Sequence, residues 1–229
     1  MGISNWIERI RKDPHKAGAF EMMTLEAAHR VISPSVEAAL HSRGFEAVAP
    51  LKWVRFDGSP VRQMFAFPAW KGGVIAPRWG LSLDFVPHVT GSSVRWHRAN
   101  KSAIFDLAVD ARDKSLDVSL IRGEQAAFQS SPAIVEKAVA RADEFWRRVN
   151  SVDDVVGAFE WLRGYLSTTE GLGFYNYVQH PVALAFVLAR TGNLVGARQE
   201  LDRFLAGRSP EDPVSIRLGE LLTGATHAA

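Results

Sequence analysis

Leu83-Asp84-Phe85-Val86-Pro87-His88-Val89-Thr90-Gly91-Ser92-Ser93-Val94-Arg95-Trp96-His97 is the stretch on which the fold turns. Apolar and polar side chains alternate on both sides of Gly91-Ser92. Glycine reaches positive φ without steric cost, so the dipeptide reads as a type II′ hairpin turn. In that register Thr90 faces Ser93, His88 faces Arg95, Val86 faces His97 and Pro87 faces Trp96. The Pro87–Trp96 pair is then a non-hydrogen-bonded one, where proline's missing N–H is harmless. Strand alternation puts Leu83, Phe85, Pro87, Val89, Val94 and Trp96 on one face and Asp84, His88, Arg95 and His97 on the other.

Working outward, the same period of two marks Leu51 to Phe56, Val61 to Phe67, Gly80 to Val89, Val94 to Arg98, Ala103 to Val109 and Leu116 to Ile121 as strands. Short connections, among them Asp57-Gly58, point to an antiparallel meander. Upstream the period is helical. Trp6 to Lys12 and Phe20 to Val31 read as helices, and Ser33-Pro34 reads as the N-cap and first position of a third helix running to His41, closed by Gly44. Downstream, helical spacing starts at Ser131. One stripe runs Val135, Ala138, Ala142, Phe145, Val149; after the capping residue Ser151, with Asp153 and Asp154 in the first turn, a second runs Val155, Phe159, Leu162, Leu166. Gly171 to His180 reads as a loop and Pro181 as the opening of a further helix. Ser209-Pro210-Glu211-Asp212 marks the start of a last helix over Pro213 to Leu222.

The fold class is therefore α+β: an antiparallel meander of about five or six strands, flanked by N-terminal helices and followed by a C-terminal helical region. Residues 1–130 hold the first helices and the sheet; residues 131–229 hold the helical region, expected to pack on the sheet as one unit with it. Phe204, one of the apolar residues on the last helical hairpin, is expected to be fully buried.

At 229 residues the chain buries enough surface to fold without a disulfide or a metal. Cysteine is absent, which removes thiolate metal sites and cysteine nucleophiles and suits a reducing, cytoplasmic setting. Charges near the N-terminus are unlike a signal peptide, and the apolar runs are too short for a membrane-spanning helix. The 27 Lys+Arg against 25 Asp+Glu are interspersed, giving a net +2 and no basic arm for nucleic acid. Arginine outnumbers lysine, as in proteins of G+C-rich bacterial genomes.

Candidate chemistry centres on the polar hairpin face. Asp84 lies diagonal to His97, with about 7 Å between Cβ atoms, so Asp84, His88, Arg95 and His97 together form a candidate anion or ligand site. The same alternation also describes an ordinary solvated sheet face. No His-x-His or HExxH spacing adds a metal site. Gly171-Leu172-Gly173 lacks the strand and third glycine of a dinucleotide loop, and no Gly-x-Ser-x-Gly elbow presents a nucleophile. No catalytic residue and no cofactor is assigned. Arginines interleave with aromatics at Trp53/Arg55, Arg62/Phe65, Arg78/Trp79 and Arg95/Trp96, a pattern that single-strand nucleic-acid binders share. Arginine stems lying along core aromatics give the same pattern, and without a basic surface nucleic-acid binding ranks last.

Phe186-Val187-Leu188-Ala189-Arg190-Thr191-Gly192-Asn193-Leu194-Val195-Gly196-Ala197, with Leu201, Phe204 and Leu205, resembles part of one tetratricopeptide repeat. Without a second copy it implies one helical hairpin rather than a solenoid. Three further stretches resemble an uncharacterised bacterial family, domain of unknown function 4304. They are Leu40-His41-Ser42-Arg43-Gly44-Phe45, the strand with Trp53 and Arg55, and Phe145-Trp146-Arg147-Arg148-Val149-Asn150-Ser151-Val152-Asp153-Asp154. That resemblance implies helices flanking a meandering sheet and brings no activity. The leading functional expectation is a cytoplasmic module that binds a protein partner or a small ligand, without catalytic activity. The alternative is an enzyme or anion site on Asp84, His88, Arg95 and His97.

Overall fold

A computed structural model describes residues 23–70, 74–110, 124–167 and 179–225. The expected helix Trp6–Lys12, the strand Leu116–Ile121 and most of the loop after Gly171 lie outside these residues. The fold is α+β. Strands β1 (Glu46–Ala49), β2 (Lys52–Arg55), β3 (Val61–Ala66), β6 (Arg78–Leu83) and β9 (Leu107–Asp110) form an antiparallel sheet in the order β1-β2-β3-β6-β9. Two hairpins interrupt the meander: β4 (Ala69–Trp70) with β5 (Val74–Ile75), and β7 (His88–Thr90) with β8 (Ser93–Arg95). Among the described residues no helix is long and apolar enough to cross a membrane.

The chain divides into two compact units that interleave in sequence. The first comprises Met1–Trp53, Phe65–Arg78 and Asp110–Ala142; the second comprises Val54–Met64, Trp79–Val109 and Asp143–Ala229.

In the first unit, helix α1 (Leu25–Leu40) starts where the Thr24 hydroxyl accepts the Ala27 N–H at 3.1 Å. Ala28, Ile32, Val36 and Leu40 recur every fourth residue and are fully buried. This stripe passes straight through Ser33-Pro34, so the expected helix break is not there. Pro34 lies inside α1, and Ser33 is not a cap: its hydroxyl pairs with His29 Nδ1 at 2.6 Å. Helix α2 (Glu124–Trp146) repeats the lesson, for it begins seven residues before the expected start at Ser131. Pro132 is again interior, and the Ser131 hydroxyl turns back to donate to the Ala127 carbonyl. A 3-10 turn over His41–Arg43 continues from α1, and Gly44 closes it in the left-handed region at φ 76°.

In the second unit, α4 (His180–Arg190) is buried on nearly every side, and α3 (Val152–Ser167), α5 (Leu194–Leu205) and α6 (Pro213–Ala225) pack around it. Each start follows a local signal. Ser151 and Asp154 cap α3 reciprocally, the Asn193 carboxamide accepts the Gly196 N–H, and Asp212 accepts the Val214 N–H. Phe204 is not the buried anchor expected of it. Leu201, Ala197 and Glu200 fill that place, while Phe204 is half-buried with the Arg208 guanidinium over its ring. Between β6 and β9 the backbones meet closely: a Cβ on Gly80 would fall 1.9 Å from the Leu107 carbonyl oxygen. Trp146 Nε1 donates to the Gly80 carbonyl at 3.1 Å and fixes the end of α2 there.

Candidate functional site

The hairpin pairs as its turn dictates. His88 faces Arg95, Val89 faces Val94, Thr90 faces Ser93, and Gly91 sits at φ 60° as a type II′ turn needs. Val89 therefore occupies a non-hydrogen-bonded position, its N–H and C=O directed away from β8. The Gln179 side chain takes both, accepting the N–H at 2.8 Å and donating to the carbonyl at 2.5 Å.

Beyond the ladder the expected faces fail. The strand drawn from Gly80 to Val89 stops at Leu83, where Asp84-Phe85 forms a turn and β7 leaves for its own small sheet. The reason is visible in the bonds. Asp84 N–H donates to the Pro60 carbonyl, its carboxylate pairs with Arg62, and the Leu83 N–H goes to an Asp106 oxygen at 2.7 Å rather than to a neighbouring strand. On the other side the chain leaves β8 after Arg95. Trp96, expected in the core, is 39% exposed and carries the Arg98 guanidinium 4.1 Å from its ring centroid. His97, expected on the polar face, is 4% exposed. Phe85 is half-buried under the Arg190 guanidinium rather than deep in the core.

The four candidate residues thus go to three environments. Arg95 is exposed on β8, and Asp84 is held by Arg62, whose guanidinium also donates to Asn100 Oδ1 at 2.7 Å and to the Arg98 carbonyl. His88 and His97 remain neighbours, rings edge to face at 6.4 Å. The partner that decides this cluster is Asp106, which strand alternation does not single out. Its Oδ2 lies 2.8 Å from His97 Nε2, and the carboxylate is only 5% exposed. Burial pushes the Asp106 carboxyl above its ordinary range, against the hydrogen bonds from His97 and from the Leu83 N–H. His88 is pushed down by burial and then by His97. His97 Nδ1 is buried and has no hydrogen-bond partner. A carboxylate that orients an imidazole is half of a general-base arrangement, but at 4% exposure the ring offers a substrate no approach. A lone carboxylate within Phe105-Asp106-Leu107-Ala108-Val109 was the available signal.

A concave site lies elsewhere in the second unit. The loop after β2, the outward side of β3 and the turn between α2 and α3 enclose a cleft of about 490 Å³. Along β3, Arg62 and Met64 are buried while the alternate residues Val61 and Gln63 line the cleft. Facing them are Trp146, Arg147, Val149 and Asn150, with Arg55 and Asp57 at the β2 end. Asp57 is engaged by the Ser59 N–H at 3.0 Å. Arg147 is held through its Nε, which donates to the Asp143 carbonyl at 3.2 Å; among the described residues its terminal nitrogens make no ion pair. Gln63 Oε1 is buried without a donor. None of the four sequence-selected residues lines this cleft. Among the described residues no three His, Asp or Glu side chains come together as a metal site.

No family model, no curated protein and no solved structure matches this chain.

Proposed function

We propose that the protein is a small-ligand-binding module without catalytic activity, and that the cleft between β3 and the α2–α3 turn is its site. The observation that carries this reading is a cavity of about 490 Å³ lined by Gln63, whose buried carboxamide oxygen has no donor, and by Arg147, whose terminal guanidinium nitrogens are unpaired. Ligand sites are concave, run from roughly 300 to 1,000 Å³, and combine apolar walls with a few convergent polar groups. Here Val61, Trp146 and Val149 supply the walls. An unmet buried acceptor costs about 1 to 3 kcal/mol, which a bound donor would recover. A cysteine-free chain suits a reducing, cytoplasmic setting for such a module.

The test is a fragment screen read by amide chemical shifts. Hits should move residues 55–63 and 143–151 together, and Val61→Trp, which fills the cleft, should abolish them. Hits that map elsewhere on the chain, or no hits, would remove the cleft as a site.

A second reading, a protein partner on the C-terminal helices, is favoured by one observation: Leu194, Val195 and Ile216 are exposed on α5 and α6. The tetratricopeptide-like stretch forms the α4–α5 hairpin, and its likeness to that repeat belongs with this reading. Kinship with the uncharacterised family named above is likewise a proposal. Two of the stretches that carry it, the strand with Arg55 and Phe145 to Asp154, supply walls of the cleft.

A further inference from the structure

We infer that the ligand of this cleft is an organic anion that also carries a hydrogen-bond donor, joined by a short apolar or aromatic body. The inference rests on the cleft being the binding site and adds the chemistry of what it takes. Three features combine. Arg147 stands at the cleft with its Nε committed to the Asp143 carbonyl and its terminal nitrogens unpaired, so the guanidinium is oriented but not neutralised. A guanidinium presents parallel N–H donors, which a carboxylate or phosphate meets in a forked pair.

Gln63 Oε1 is an acceptor cut off from water with nothing donating to it. A ligand hydroxyl or amine proton satisfies it once the side chain turns into the cleft, whereas a second anionic group would be repelled. Between these polar points the lining is Val61, Trp146 and Val149. Trp146 cannot turn its indole N–H to a ligand, because that group already donates to the Gly80 carbonyl, so it offers an apolar face. Asp57 accepts the Ser59 N–H, and Arg55 and Asp143 are charged residues of the same lining with contacts of their own; Arg147 is the cleft cation whose terminal nitrogens are left for a ligand. Carboxylate and phosphate share this recognition, and the probes separate them.

The experiment titrates the full chain, by amide chemical shifts, with 4-hydroxyphenylacetate, its neutral amide, tyramine, and 4-hydroxyphenyl phosphate. 4-Hydroxyphenylacetate should move the amides of residues 61–63 and 147–151 and bind at least about tenfold more tightly than its amide, the scale of one charge-assisted hydrogen bond. Tyramine should bind more weakly still. 4-Hydroxyphenyl phosphate outbinding the carboxylate assigns a phosphate ligand, and the reverse assigns a carboxylate.

Arg147→Gln should erase the preference for the anion over the amide, with shifts outside the cleft unchanged. Arg147→Lys should keep part of it, because charge survives and the fork does not. If the amide or tyramine binds the cleft as tightly as the anion, the anionic ligand is wrong and the cleft stands. If cleft amides respond to other fragments but to none of these probes, the anion inference falls alone. If nothing reaches the cleft, it falls together with the site.

Discussion

The hairpin His88–Arg95 and the segment that follows it, Trp96 to Asp106, are adjacent in the chain and obey different rules. Inside the hairpin the pairing is the one the turn type sets, His88 to Arg95, Val89 to Val94 and Thr90 to Ser93, because each residue meets the strand directly opposite. One residue past the ladder the alternation inverts: Trp96 turns outward and His97 inward. What overrides the period is one carboxylate. Asp106 takes the Leu83 N–H and the His97 ring at once, satisfying a strand end and a buried imidazole together. Local pairing is readable from spacing; a bond between side chains that approach only after folding is not.

The sharpest way to break this comparison is Asp106→Ala. It leaves a buried imidazole and a buried backbone N–H unpartnered, and the expected loss is about 3 to 5 kcal/mol by urea denaturation. A loss under about 1 kcal/mol would mean that Asp106 does not organise the segment. Within the ladder, Arg95→Ala should do almost nothing, staying within about 0.5 kcal/mol, since Arg95 is exposed and its partner in the register contributes through backbone bonds.

Between these extremes lies pH. The folded chain holds the His88 proton less tightly than the unfolded chain, so stability is lost as pH falls through about 6.5, the unfolded value. Asp106 has the opposite sign: its raised folded value makes the folded state take up a proton first, so acidification toward about 3.9 returns stability from that group. His88→Gln should therefore flatten the decline in melting temperature between about pH 7 and 5 relative to the parent chain. An unchanged slope would show that His88 is not the group responsible.

Much of the architecture was legible for the same local reason. The reciprocal cap at Ser151 and Asp154, the Asn193 and Asp212 caps, and Gly44 and Gly91 at positive φ are each settled within a few residues. Ser33-Pro34 and Ser131-Pro132 misled because a cap-and-proline start and an interior serine–proline pair read alike. Only the buried stripe from Ala28 through Leu40 shows that α1 continues. β1 gives no signal because its residues are almost all exposed and show no alternation, and the β4–β5 hairpin because its strands are two residues long.

The candidate site was the least legible part. Asp84 and Arg95 were placed together by extending a ladder that ends at Arg95, while the cleft draws Gln63 and Arg147 from segments more than eighty residues apart. Spacing carries no trace of that approach. Arg147 enters the sequence reading only through the resemblance to a family without an activity, and Arg55 through that resemblance and its place beside Trp53.

The most direct test of the central claim, that this cleft holds a small ligand, is a high-resolution crystal structure of the chain soaked with the strongest fragment found by amide shifts. The account predicts density between Gln63 and Arg147, with a ligand donor within about 3.2 Å of Gln63 Oε1. An empty cleft, with the fragment ordered on another surface, would contradict it.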